Sequence, residues 1–127
     1  MKTKILVIED DTAISELICM NLEAAGYDPV PLFDGEEAEA AVLREKEKEE
    51  SLPGYALALL DIMLPGKDGF QLMDAMQAAG IPVIYLTAKA DVVSKVHGLR
   101  AGAEDYIVKP FEVLELLVRI EKVLQRT

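Results

Sequence analysis

The chain has 127 residues, of which 51% are hydrophobic and 28% charged; that is the make-up of one globular domain with a core of its own, and it excludes wholesale disorder. A formal net charge of −10 repels phosphate backbones and anionic membranes, so this domain is not expected to hold nucleic acid on its own surface. The longest apolar stretch, Tyr55 to Leu60, ends at Asp61 and is too short for a membrane span. The N-terminus turns acidic at Glu9, too early for a signal peptide, so a cytoplasmic location is expected. A single cysteine, Cys19, permits no internal disulfide and reads as a small core residue.

In chain order, Lys4 to Ile8 is a short β-branched run suited to a buried strand. Asp11 or Thr12 then caps a helix whose apolar positions Ile14, Leu17, Ile18 and Leu22 recur at helical spacing, with Gly26 as its stop. Tyr27 to Leu32 makes a second strand, placed at a sheet edge by Pro29 and Pro31, which lack amide donors. Asp34 caps a second helix, and Glu37 completes a capping box. The run Arg44 to Glu50 reads as a solvated helix end, with Glu45–Lys48 as a favourable pair, fraying before Ser51 to Gly54.

The third strand is Tyr55 to Leu60, followed by a loop holding Pro65, Gly66 and Gly69 and a helix over Phe70 to Ala79. Ile81 to Leu86 is the fourth strand, Val92 to Ala101 the fourth helix stopped by Gly102, Asp105 to Val108 the fifth strand, and Glu112 to Gln125 the last helix. Five strands alternating with five helices predict an α/β fold in three layers, a parallel sheet covered on both faces.

The chemistry lies at the strand ends. Glu9 and Asp10 follow the first strand and Asp61 follows the third. Singly, such acids are often helix caps, as Asp11 is expected to be. In an open parallel sheet, however, ligands bind beyond the carboxyl ends of the strands, and adjacent first and third strands would bring these carboxylates together. Like charges that close resist joint ionisation unless a cation joins them, and a hard oxygen-liganded ion such as Mg²⁺ suits the set. The fourth strand ends in Thr87 and the fifth in Lys109. Each alone reads as a cap or a surface charge; together they supply the donors that phosphoryl transfer to a carboxylate needs.

The segments Ile5–Asp11, Leu60–Gly69, Leu86–Ala88 and Gly102–Phe111 resemble the receiver domain of two-component response regulators, from Lys4 to about Leu124. The resemblance implies a flavodoxin-like (βα)5 fold with strand order 2-1-3-4-5. It implies Asp61 as phosphoacceptor, Asp10 and Asp61 as direct Mg²⁺ ligands, Glu9 acting through water, and the Met63 carbonyl as a further ligand. Thr87 and Lys109 would contact the phosphoryl group, Lys109–Pro110 would be a cis peptide, and Tyr106 would turn inward as Thr87 moves. Met63 and Lys89 flank the site and would tune hydrolysis. The chain departs from the family in a longer interval between Asp10 and Asp61, with the excess in Glu45 to Gly54.

The segment from Leu99 to Ile120 looks most like the OmpR/PhoB subfamily, which implies dimerisation through the fourth helix, fifth strand and fifth helix. Lys95, Glu104, Asp105, Glu115, Arg119 and Arg126 could serve that face, or could be ordinary solvated charges. Residues 1–124 are expected to form the receiver and 125–127 to begin a linker to a DNA-binding output domain, with a sensor histidine kinase as phosphodonor. His97 reads as a surface residue rather than a phosphorelay histidine. Two other functions are weighed. A small aspartyl-phosphate hydrolase would need an acid where Met63 stands. A binding module, either a flavodoxin-like cofactor carrier or a receiver without phosphorylation, finds no glycine-rich loop after the first strand, and every position that phosphorylation requires is filled.

Overall fold

The computed structural model describes residues 2–50, 54–64, 69–88, 96, 100 and 102–126. The elements run β1 (Lys4–Ile8), α1 (Thr12–Ala24), β2 (Asp28–Leu32), α2 (Gly35–Glu47), β3 (Tyr55–Asp61), α3 (Gly69–Ala78), β4 (Val83–Ala88), β5 (Asp105–Lys109) and a C-terminal helix (Val113–Arg126). The expected fourth helix, with Lys95 and His97, falls largely outside the described residues, as do Lys89, Pro65 and Gly66. All neighbouring strands are parallel and the order is β2-β1-β3-β4-β5, so proline-bearing β2 does lie at an edge.

Strand alternation divides the core into two layers. Leu6, Ile8, Ala58, Leu60, Val83 and Tyr85 face α2 and α3, meeting Ala38, Ala41, Leu72, Met73 and Met76. Ile5, Val7, Leu57, Leu59, Ile84, Leu86 and Ile107 face the other way, against Ile18 and Leu22 of α1 and Leu116, Ile120 and Val123 of the C-terminal helix. The three-layer expectation therefore holds. Among the described residues, no helix is long and apolar enough to cross a membrane.

Several local details differ from the sequence pattern. The buried stripe of α1 is Ser15, Ile18 and Leu22, while Leu17 is 45% exposed; the helix is rotated so that a small serine, not the leucine, fits against the sheet. Asp11 is the cap, its carboxylate accepting from the Ile14 N–H at 3.0 Å. At α2 the Asp34 carboxylate accepts from the Glu37 N–H (2.8 Å). The Glu37 carboxylate reaches one residue further back than a capping box requires, to the Phe33 N–H (3.1 Å). Helix α2 ends at Glu47.

The reading of the charged run as wholly solvated is corrected at one residue. Glu45 forms its expected pair with Lys48 (3.4 Å), but its side chain is only 9% exposed, and it also accepts the Tyr55 N–H (3.1 Å) at the start of β3. A Cβ on Gly54 would lie 2.0 Å from that carboxylate. The end of α2 is thus tied to the start of β3 at this point.

Strands β3, β4 and β5 each run further than expected, to Asp61, Ala88 and Lys109. Ile81 is held back by its N–H bond to the Met76 carbonyl, so β4 starts later.

Candidate functional site

The pairing Ile8↔Leu60 sets the ends of β1 and β3 level, so Glu9 and Asp61 emerge side by side. Asp10 completes the cluster, with one carboxylate oxygen from each of the three lying within 4.8 Å of the others. Glu9 is fully buried and Asp61 is 5% exposed, whereas Asp10 faces solvent. Asp61 pairs with Leu86, and Leu86 with Ile107, so Thr87 lies one residue and Lys109 two residues beyond that level at the ends of β4 and β5. In this way the strand order, rather than sequence proximity, brings Thr87 and Lys109 to the carboxylates.

Lys109 Nζ donates to both Glu9 Oε1 and Asp61 Oδ2, the latter at 3.0 Å. The Asp61 Oδ1 atom accepts from the Met63 N–H at 2.9 Å. Two buried oxygens at the site have no partner among the described residues, Glu9 Oε2 and Thr87 Oγ1. Unpaired buried acceptors are costly, and both stand at the strand ends beside the acidic cluster. The Lys109–Pro110 peptide is cis, as the resemblance implied.

The charges respond to one another. Burial, and then a shared hydrogen bond with Asp61, push the Glu9 carboxyl up to about 8, against the opposing pull of Lys109. Burial would raise Asp61 as well, but hydrogen bonds from Glu9, the Met63 amide and Lys109 hold it below the ordinary carboxylate value. Lys109 is disfavoured as a cation by burial, and the two carboxylates more than compensate, so it is held above its ordinary value. The crowding thus pushes the two acids apart, Glu9 toward keeping its proton and Asp61 toward the carboxylate.

The residue after Asp61 makes a close backbone approach to the start of α3. Gly69, the first residue of α3, lies so near Ile62 that an added Cβ would stand 2.5 Å from the Ile62 Cα and 2.6 Å from its carbonyl oxygen. Only glycine lets α3 begin here. Met63 is 72% exposed beside the site, and no acid occupies its position. Sequence reasoning placed Gly69 in a loop without seeing this contact, since nothing local reveals which backbone it meets.

Tyr106 is half-buried on β5, directly across from Tyr85 on β4, with ring centroids 5.8 Å apart. Of the residues considered for a dimer face, Arg119 binds both oxygens of Asp105 at 2.9 Å and Glu115 at 3.1 Å. These are contacts within one chain, which the sequence did not reveal. Glu104 and Arg126 lie on the same side, around a shallow cavity with Asp105, Lys122 and Gln125.

The model for the response regulator receiver domain matches residues 5–121. RpaA of Synechocystis, a DNA-binding dual master transcriptional regulator, is 40% identical over 98% of this chain and 50% of its own length. The DNA-binding response regulator MtrA of Mycobacterium tuberculosis is 40% identical over 99% of this chain and 52% of its own. The chain therefore spans about half the length of these curated relatives, which are regulators of the OmpR/PhoB type. A putative response regulator from Chloroflexus aurantiacus superposes with a TM-score of 0.83 at 32% identity, over 98% of this chain and 99% of that one. The receiver domain of the Francisella response regulator 1452 gives 0.80 at 31% identity, with 98% of each chain covered. With its strand order, its clustered strand-end acids and these relatives, the chain belongs to the response regulator receiver domain family of two-component signalling.

Proposed function

We propose that Asp61 is the phosphoacceptor of this receiver. The observation that carries the proposal is a lysine ammonium 3.0 Å from that carboxylate, with a buried threonine hydroxyl at the next strand end that has no partner among the described residues. An Asp61 oxygen attacks the phosphorus of a phosphohistidine on a sensor kinase; the P–N bond breaks, and the imidazole leaves as an acyl phosphate forms. Lys109 and Thr87 then face the new phosphoryl oxygens. Crowding of Glu9, Asp10 and Asp61 with an orphaned Glu9 oxygen fits a hard divalent cation. Asp10, Asp61 and the Met63 carbonyl would hold Mg²⁺ directly, and Glu9 through water. Bound there, Mg²⁺ would neutralise charge on the transferring group. The domain would serve its own transfer and slow hydrolysis; Met63, lacking an acid, argues against a turnover hydrolase.

Incubation with Mg²⁺ and acetyl phosphate should add the mass of one phosphoryl group, and Asp61→Asn should abolish the gain. An unchanged mass with several donors would sink the proposal. Tyr106 would turn inward as Thr87 engages the phosphoryl group. The face formed by Glu104, Asp105, Glu115, Arg119 and Arg126, with Lys95, would pair two copies. A cavity of about 530 Å³ between Asp105 and Lys122 and the exposed Leu114 and Val118 support that face. In a longer protein of the length of its relatives, residues 1–124 would act as receiver and 125–127 would lead to a DNA-binding domain. The kinase contact and the location would be cytoplasmic.

A further inference from the structure

Tyr85 is a large, fully buried side chain in β4, and the roles proposed above do not use it. Along β4, Val83 and Tyr85 belong to the layer under α2 and α3, while Ile84 and Leu86 belong to the opposite layer. Alternation therefore returns Thr87 to the same face as Tyr85. Tyr106 packs against that same layer, and its backbone partner across the ladder is Tyr85, whereas Thr87 is paired with Val108. Tyr106 thus has two neighbours on this face of β4: Tyr85 opposite it, and Thr87 two residues further toward the strand end that carries the acidic cluster. In the structure the ring lies with Tyr85, at a 5.8 Å centroid separation and a 31° tilt, and the Thr87 hydroxyl has no partner among the described residues.

We propose that Tyr85 is a positioning residue that holds Tyr106 in the setting seen in the structure through ring-on-ring contact, and so sets how strongly Asp61 phosphorylation must pull to complete the switch. This rests on the proposed role of Tyr106. An aromatic pair is stabilising enough beyond simple burial to bias a two-state equilibrium by roughly 2- to 10-fold. Removing the ring of residue 85 should raise the inward population of Tyr106 by about that factor before any phosphoryl group arrives.

The test uses the domain labelled with 3-fluorotyrosine; with four tyrosines in the chain, the Tyr106 resonance is assigned from Tyr106→Phe. Spectra are recorded with Mg²⁺ alone and with Mg²⁺ and beryllofluoride, a phosphoryl mimic. Wild type should show a Tyr106 shift on adding the mimic. Tyr85→Phe, which keeps the ring, should behave alike. Tyr85→Met should show Tyr106 already displaced toward the mimic-bound position, and a smaller change on adding it. Tyr85→Leu gives the same comparison if the methionine variant does not fold. A general loosening of the core would move the Tyr27 and Tyr55 resonances too and would not be relieved by phenylalanine. Tyr106 at its wild-type positions in both ring-less variants overturns the proposal while leaving the Tyr106 switch intact. A wild-type Tyr106 that ignores the mimic, while Asp61 still gains phosphoryl mass, overturns the switch and this inference with it.

Discussion

Replacing Gly69 by alanine tests whether the start of α3 fixes the segment that follows Asp61. The new methyl carbon would stand 2.5 Å from the Ile62 Cα, 2.6 Å from its carbonyl oxygen and 2.9 Å from its carbonyl carbon. All three obstacles are backbone atoms, so no side-chain rotation relieves the clash; helix or loop must move by about an ångström to restore ordinary contact. Overpacking of this kind costs about 1–3 kcal/mol, and the rigid surroundings put Gly69→Ala in the upper half of that range. For a domain of this size the expected fall in Tm is roughly 6–12 °C. The displaced backbone includes Met63, whose N–H supports Asp61, so Mg²⁺ affinity should fall by about tenfold as well, as when groups behind metal ligands are disturbed. Gly26→Ala is the control: nothing lies within 4 Å of its added Cβ, but its φ is +93°, so it should lose about 1–2 kcal/mol from left-handed backbone alone and leave Mg²⁺ binding unchanged. Urea unfolding and calorimetric Mg²⁺ titration measure both quantities. A Gly69→Ala protein within about 0.5 kcal/mol of wild type, with unaltered Mg²⁺ affinity, would refute the steric reasoning.

Other outcomes follow from the same geometry. Because Glu9 is raised to about 8, it holds its proton at neutral pH, and cation binding should expel it. Titration of Mg²⁺ at pH 7 in two buffers of different ionisation enthalpy should show release approaching one proton, with affinity rising as pH increases toward 8; absence of release would count against the Glu9 assignment. By the same linkage, Glu9 stabilises the metal-free fold fully below its ordinary value of 4.5, and that contribution is lost as pH rises through about 8, so metal-free Tm should decline across that window more in wild type than in Glu9→Gln. Glu45→Ala, which strands the Tyr55 N–H, should cost about 1–3 kcal/mol in urea unfolding, while Glu45→Gln, able to accept the same bond, should cost less. Arg119→Ala should cost under about 1 kcal/mol, since its pairs are partly solvent-screened. It should nevertheless weaken dimerisation measured by ultracentrifugation with beryllofluoride.

Much of this site was legible because its chemistry sits where strands end. Glu9, Asp10 and Asp61 each follow an uninterrupted apolar run, and Thr87 and Lys109 close two more, so a parallel sheet alone makes their meeting plausible. The strand order that brings them together was not legible from periodicity; it came with the family resemblance, and the structure bears it out. What local pattern could not supply is register and depth. Ser15 rather than Leu17 faces the sheet because helix rotation is set by the whole interface. Glu45 looked like one solvated acid among many, yet it is buried over the first residue of β3. The contacts of Gly69 with Ile62, of Arg119 with Asp105, and of Tyr85 with Tyr106 all join residues distant in sequence, and no short motif announces them.

The ion pairs at the site constrain how the proposed switch works. In the structure Lys109 bridges Glu9 and Asp61, and that bridge offsets part of the repulsion within the acidic cluster. A divalent cation held by the acids would take over this task, leaving the ammonium available to another anion. A phosphoryl group on Asp61 would bring about two negative charges and three strong acceptor oxygens. Lys109 already contacts Asp61, whereas the Thr87 hydroxyl on the neighbouring strand has no partner among the described residues and would be the group that moves to take up another. The hydroxyl therefore has more to gain than the lysine from a small movement. In the proposed switch, that movement would make room for Tyr106 to turn. In this account Lys109 governs whether the phosphoryl group is accepted, and Thr87 governs whether the rest of the domain responds. Lys109→Ala should accordingly suppress phosphoryl gain on Asp61. Thr87→Ala should leave most of that gain intact and remove the Tyr106 shift; loss of both signals in the threonine variant would merge the two roles and defeat the distinction.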